Sequence, residues 1–357
     1  TRSSNSIEIS DKLCCWSTRS DKSMTTQLIR QILALPGPLI SGPKSPLSHT
    51  YVAPKYRRLH LSHPPGWLAT NTNLHTFTCT DGQVHFSRDG STAFAVGVEG
   101  ASAQLLGSWA RAMRAQKCRR TLLFPLANWQ SKSLCDQGFE LMKVGEEAEV
   151  YLPSYRRQGR SYSNLRQMLQ RARRKNLSVR IKEHLPHDAK NLESIWLTSC
   201  AQSQRMRLLI GEPNSCDDAM FAVVRDAQGN PLAWVESRPG FAHRGYGIDS
   251  MVRHPEAPAG AVELAIDALL DQRRKQGDTW FSLGAVPLRG VDYSRPVLGL
   301  ICQILRQTNV GNQLFHFNGL GQFKAKFVPQ WRPVMIADYN KLNAFSLYEG
   351  CRLWGLF

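Results

Sequence analysis

From about residue 53 onward, apolar and polar positions alternate in short bursts. "NLHTFTCT", "QVHFSRD" and "TAFAVGV" are rich in β-formers and separated by Asp-Gly steps, which predicts an antiparallel meander. In "GASAQLLGSWARAMRAQK" the apolar residues Leu105, Leu106, Trp109 and Met113 recur at helical spacing. "RTLLFPLA" reads as a buried strand, "SKSLCDQG" as a short helix closed by Gly138, and "FELMKVGEEAEVYL" as one or two strands. Meander, helix, strand, helix, strand is the order of an α/β acyltransferase-like half.

The same order of elements recurs further on. "FAVVRDAQGNPLAWVESRPG" predicts two strands joined by a tight turn at Gln228-Gly229-Asn230, and "HRGYGIDSMV" a third strand. "GAVELAIDALLDQRRKQG" is an amphipathic helix ended by Gly277, with Leu264, Ala268 and Leu269 on one face. "TWFSLGAVPL" reads as a buried strand and "PVLGLICQILRQT" as another helix. The repetition lies in the order of elements and not in the letters, and it suggests a structural duplication.

Residues 1–52 break this pattern. "ALPGPLISGPKSPLS" holds four prolines and predicts an irregular tail. Acidic residues Glu8, Asp11 and Asp21 and a short, interrupted apolar patch argue against a secretory signal. No run approaches the roughly 18 apolar residues of a spanning helix. The nine cysteines are scattered without a C-x-x-C pair, so reduced thiols in a cytoplasmic setting are expected. Of 357 residues 42% are hydrophobic, which suffices for a real core, and the net charge of +17 favours polyanionic partners.

That charge is concentrated. Arg156–Lys182 holds ten basic residues and no acid. Within it "SYSNLRQMLQRARRKNL" predicts a helix with Ser163 as N-cap and an apolar stripe of Leu165, Met168, Leu169 and Ala172. Arginines three and four apart repel unless an anion intervenes, so Arg166, Arg171, Arg173, Arg174 and Lys175 are candidates to bind phosphates.

Several segments together resemble the cytoplasmic synthase domain of the phosphatidylglycerol lysyltransferases, also called multiple peptide resistance factors. They are Gly138-Phe139 with Gly145-Glu146-Glu147-Ala148, the basic helix, "YGIDSMVRHPEAPAG" with Asp249, Met251 and Arg253, "FSLGAVPL", and "FHFNGLGQFKAKFVPQWRPVMI". The similarity spans about residues 60–340. It implies an α/β (α+β) architecture of tandem GNAT-like acyltransferase folds joined by a basic helix. The expected division is a tail over 1–52, a first domain over 53–158, a linking helix over 159–182, a second, catalytic domain over 183–345 and a C-terminal tail over 346–357. It further implies a stand-alone member without the flippase half, moving an amino acid from aminoacyl-tRNA to a phosphatidylglycerol-like hydroxyl at the inner face of a membrane. A sterol, peptide or small-metabolite acceptor stays open, as does a non-catalytic protein that binds RNA or anionic membrane.

Such a transfer must hold the α-amine, activate the acceptor hydroxyl and stabilise the developing oxyanion. Asp249, at the end of a predicted strand, is the candidate for amine or base, with an ion pair to Arg253 as its structural alternative. Arg253 could instead bind a lipid or tRNA phosphate. If "QFKAKFVPQW" is a strand, Lys324 and Lys326 share one face; Lys326 is preferred as catalytic and Lys324 as substrate-binding. Glu146, Tyr246 and Ser282 complete the substrate-binding candidates, Ser282 shaping a cleft floor. "RHPEAPAG" stands where a CoA-dependent relative would carry a Gly-rich pyrophosphate loop, and Pro255 and Pro258 remove amide donors there. No cofactor and no metal is expected, since no histidine falls in a metal-ligand spacing.

Overall fold

The computed structural model describes residues 75–99, 103–127, 131–199, 218–239, 245–291, 317–339 and 341–353. The predicted tail over 1–52 and the predicted helix "PVLGLICQILRQT" lie outside them. The strands are β1 (His75–Cys79), β2 (Gly82–Asp89), β3 (Thr92–Glu99), β4 (Arg120–Ala127), β5 (Phe139–Tyr151), β6 (Ser178–Lys182), β7 (Met220–Arg225), β8 (Pro231–Pro239), β9 (Gly245–Arg253), β10 (Trp280–Pro287) and β11 (Gln330–Tyr339). The helices are α1 (Ala103–Ala115), α2 (Ser131–Asp136), α3 (Ser163–Arg174), α4 (His187–Ser199), α5 (Ala261–Lys275), α6 (Phe317–Ala325) and α7 (Ala344–Leu353).

All eleven strands join one mixed sheet in the order β1-β2-β3-β4-β11-β5-β10-β9-β8-β7-β6. The order is nearly palindromic. On one side an antiparallel meander β1-β2-β3 is followed through α1 by β4, parallel to β3. On the other, the antiparallel β6-β7-β8-β9 is followed through α5 by β10, parallel to β9. At the centre the two halves exchange strands. β5 pairs with β10 of the later half, and β11 is inserted between β4 and β5 of the earlier half. The mixed α/β class expected from the pattern is therefore what the chain adopts.

Among the described residues four buried clusters hold the sheet, the smallest around Met142, Val291, Ile336 and Leu342. The periodic face of α1 (Leu105, Leu106, Trp109, Met113) packs on Val84, Phe86, Ala93 and Leu123. On the later half, Leu165 and Leu169 of α3 and Ile266 and Leu269 of α5 cover Val150, Val224 and Phe281 on one face. Leu185 and Leu192 cover Phe221, Val223 and Trp234 on the other. Each such side chain contributes about 1.5–3 kcal/mol on burial. Helices α3 and α5 meet closely at Gly260, where φ is +102° and a Cβ would lie 2.2 Å from the Met168 carbonyl oxygen. The start of α5 is thereby covered by the backbone of α3.

The segment leading into α3 is anchored by ions. Arg157, with φ +52°, reaches Asp267 at 2.7 Å and Asp271 at 2.7 Å, and the Tyr155 hydroxyl donates to Asp267 at 2.8 Å. One of the ten basic residues thus finds its carboxylates on α5, which local sequence does not reveal.

Several local expectations need correction. Ser163 is the first helical residue of α3 and Tyr162 its N-cap, without a side-chain cap. The linking helix stops at Arg174, and residues 178–182 form the edge strand β6 instead. "FKAKF" is no strand: residues 317–325 are helical, because the alternating letters wind onto the core through Phe323 and Phe327. The expected C-terminal tail begins inside α7.

Candidate functional site

Cross-strand partners share a face of a sheet. The register makes one continuous row of Arg238, Gly247, Ser282, Glu149 and Gln330 across β8, β9, β10, β5 and β11. This face is opposite the one covered by α3 and α5. Gly247 contributes no side chain, so it divides the row into two polar groups.

The first group lies on β8 and β9. Trp234, Glu236 and Arg238 alternate onto this face. The β8–β9 register shifts between Glu236 and Ser237, and Asp249 is the extra residue of the resulting bulge. The Arg238 guanidinium bridges two carboxylates, Glu236 at 2.9 Å and Asp249 at 3.0 Å, with all three side chains at most 6% exposed. Burial pushes the Glu236 carboxyl up to about 8; Arg238 opposes the shift and Asp249 adds to it. Glu236 Oε2 and Ser250 Oγ, both buried, have no hydrogen-bond partner among the described residues. The expected Asp249–Arg253 pair does not form. Arg253 is exposed at the end of β9, and Asp249 is claimed by Arg238.

The second group lies where β9 and β10 cease to pair, past Gly247 and Ser282. The Ser282 hydroxyl donates to Glu147 and accepts the Gly284 amide at 3.0 Å. A register shift between Ser282 and Ala285 turns the Ala285 carbonyl toward Lys324, whose Nζ donates to it at 2.9 Å. Gly284 makes this possible: its φ is +82°, and a Cβ would sit 3.3 Å from Lys324 Nζ. Burial lowers the Lys324 amine to about 7, against the opposing charge of Glu147.

The remaining candidates separate from these two groups. Helical geometry sends Lys324 and Lys326 in different directions. Lys326 Nζ bonds Glu263, in the first turn of α5, at 2.6 Å. Glu146 is held by Lys143 at 2.6 Å and Arg289 at 2.8 Å, while its neighbour Glu147 faces Ser282. The Tyr246 ring carries the Arg273 guanidinium 3.3 Å above it and packs on the core. Arg171, Arg173, Arg174 and Lys175 are exposed around α3. Arg166 donates to the carbonyls of Arg157 and Gly159, at 3.1 and 2.7 Å. Among the described residues no group of three or more His, Cys, Asp or Glu could hold a metal.

Sequence reasoning missed Glu236 and Arg238 and named Glu147 only as part of a motif. The available signal was charge at alternate positions of an otherwise apolar strand, Trp234-Val235-Glu236-Ser237-Arg238.

The family model described as "Phosphatidylglycerol lysyltransferase, C-terminal" matches residues 55–338. A phosphatidylglycerol lysyltransferase of Bacillus subtilis is 25% identical over 224 residues, covering 59% of this chain and 25% of that protein. One from Staphylococcus aureus is 26% identical over 225 residues, with the same coverage. The chain spans about a quarter of the length of these relatives. Among solved structures, L-PGS from Bacillus licheniformis superposes with a TM-score of 0.63 at 20% identity, covering 79% of this chain and 89% of that one. The C-terminal domain of a putative lysylphosphatidylglycerol synthetase from Agrobacterium fabrum gives 0.62 at 22% identity, covering 78% and 86%.

Proposed function

Because the chain belongs to the phosphatidylglycerol lysyltransferase C-terminal family, we propose that it is a transferase that moves an aminoacyl group from aminoacyl-tRNA to the hydroxyl of phosphatidylglycerol or a related anionic lipid. One observation carries the reading: a buried acidic group and a buried amine lie on either side of Gly247, the first on the polar sheet face and the second where β9 and β10 part.

The ester of an aminoacyl-tRNA is already activated, so positioning and proton transfer dominate the chemistry. The Glu236–Arg238–Asp249 group sets two carboxyl groups beside one guanidinium, and a substrate ammonium brought against it favours ionisation of Glu236. Lys324, near neutral pH in its balance between charged and uncharged forms, serves as base. Its amine takes the proton of the acceptor hydroxyl as that oxygen bonds to the ester carbonyl carbon. The ribose oxygen of the tRNA leaves and recovers the proton. Ser282, placed by Glu147 and the Gly284 amide, turns its single O–H from Glu147 to the carbonyl oxygen as charge develops there. Lys326 and Arg253 hold the surroundings rather than the reacting atoms.

The exposed basic face of α3 supplies phosphate contacts for the tRNA. A thioester donor is disfavoured because the start of α5, the usual cradle for a pyrophosphate, is covered by Met168. Contact with the lipid surface is part of the proposal; no helix among the described residues is long and apolar enough to cross a membrane.

The test is incubation with labelled aminoacyl-tRNA and a total lipid extract. Label entering the organic phase supports the lipid transferase. Label entering a water-soluble product moves the acceptor to a metabolite or peptide. Salt-sensitive tRNA binding without transfer would leave only a binding protein.

A further inference from the structure

Among the described residues few large apolar side chains are exposed, and Tyr151 is one of them. It closes β5 and pairs across the sheet with Trp280, the first residue of β10. The two rings lie 4.8 Å apart. The Arg332 guanidinium sits 5.6 Å from the Trp280 ring, with half of its side chain open to solvent. Glu149 holds Arg332 Nε at 3.3 Å and Gln330 accepts from its Nη2 at 3.2 Å, so the guanidinium is kept in place beside the ring. The two rings are tilted at 51° to each other, and the cluster is on the same sheet face as the polar row. Trp280 stands two residues before Ser282, about 7 Å along the strand, and Tyr151 two residues after Glu149. On its other side the chain continues into exposed Arg156 and Arg160.

We infer that Tyr151, Trp280 and Arg332 form a stacking platform for the unpaired 3′-terminal nucleotide of an RNA. Aromatic faces joined to a guanidinium accept any base by stacking, while the neighbouring positive charge suits the adjoining phosphates. A terminal base laid there puts its ribose within one nucleotide's reach of Ser282, where the ester must be presented. The inference rests on the aminoacyl-tRNA reading above and adds to it the place where the RNA end is gripped.

The experiment compares two RNA hairpins of identical duplex, one with an unpaired 3′ overhang ending in adenosine and one blunt, binding to the full chain at fixed salt. The expected result is that the overhang hairpin binds about tenfold tighter, the scale of one stacked base. Trp280→Leu removes that advantage and leaves blunt-hairpin affinity unchanged, which also reports that the variant is folded. Trp280→Phe keeps most of it, and Tyr151→Leu gives a second, independent loss. An overhang advantage that survives both leucine variants overturns the platform while leaving the donor reading intact. So does a loss confined to phosphatidylglycerol vesicle binding, which would make the stack a lipid contact. Absence of binding to either hairpin by the wild-type chain overturns the donor reading and the platform with it.

Discussion

At the scale of single residues, two buried groups titrate against their surroundings and in opposite senses. Lys324 has its amine lowered from 10.5 to about 7. As the proposed base it works uncharged, so transfer is expected to rise with pH through about 7 and then level. Lys324→Met should reduce turnover by about 10²–10⁴-fold, and a variant whose pH–rate limb is unchanged would remove Lys324 from proton transfer. Between about 7 and 10.5 the unfolded lysine holds a proton that the folded one lacks, so this residue makes stability increase with pH. Glu236 acts the other way. Its carboxyl is raised from 4.5 to about 8, so the folded chain holds a proton that the unfolded one has lost, and stability falls as pH rises across that window. Glu236→Gln should flatten the fall and leave the variant more heat-stable than the parent at pH 8, measured by thermal melts from pH 5 to 8. Asp249, Ser282 and Lys324 could be named as candidates because they stand in recognisable motifs. Arg238, Glu236 and Glu147 were not, since a buried ion pair is written in the same letters as a solvated surface. Nor does local pattern show the bulge that hands Asp249 to Arg238 rather than Arg253.

Among elements, α3 separates two kinds of information. Its apolar stripe was legible, and Leu165, Leu169 and Ala172 are buried. Leu165→Ala should cost about 2–5 kcal/mol, read by denaturant unfolding. Its charged face carries a different expectation. Neutralising Arg171, Arg173 and Arg174 together should lower the slope of log affinity for RNA against log salt by about 2–3, with little change in the melting temperature; an unaltered slope would mean that the face contacts no phosphates. Elsewhere periodicity misled. "FKAKF" alternates as a strand would, yet Phe323 and Phe327 are four apart and both reach the core from the end of a helix. Strand β6 escaped attention because its letters, Ser-Val-Arg-Ile-Lys, merge with the basic run before it, and an edge strand needs only one apolar face.

Over the whole molecule, strand order was the least legible feature. Each half was recognisable as meander, helix and strand, but nothing local announces that β11 lies between β4 and β5 or that β5 pairs only with β10 and β11. A chain cut to residues 75–158 should therefore fail to fold cooperatively by circular dichroism and hydrogen exchange, and should recover protection when residues 159–353 are added in trans. Protection in the short piece alone would contradict the pairing. The same arrangement matters while the protein is being made. β5 emerges from the ribosome with thirteen residues and no partner strand until the residues of β10 are translated. Nascent chains in that interval expose an open strand edge of unpaired amides and carbonyls, and they are the species for which chaperone capture competes with aggregation.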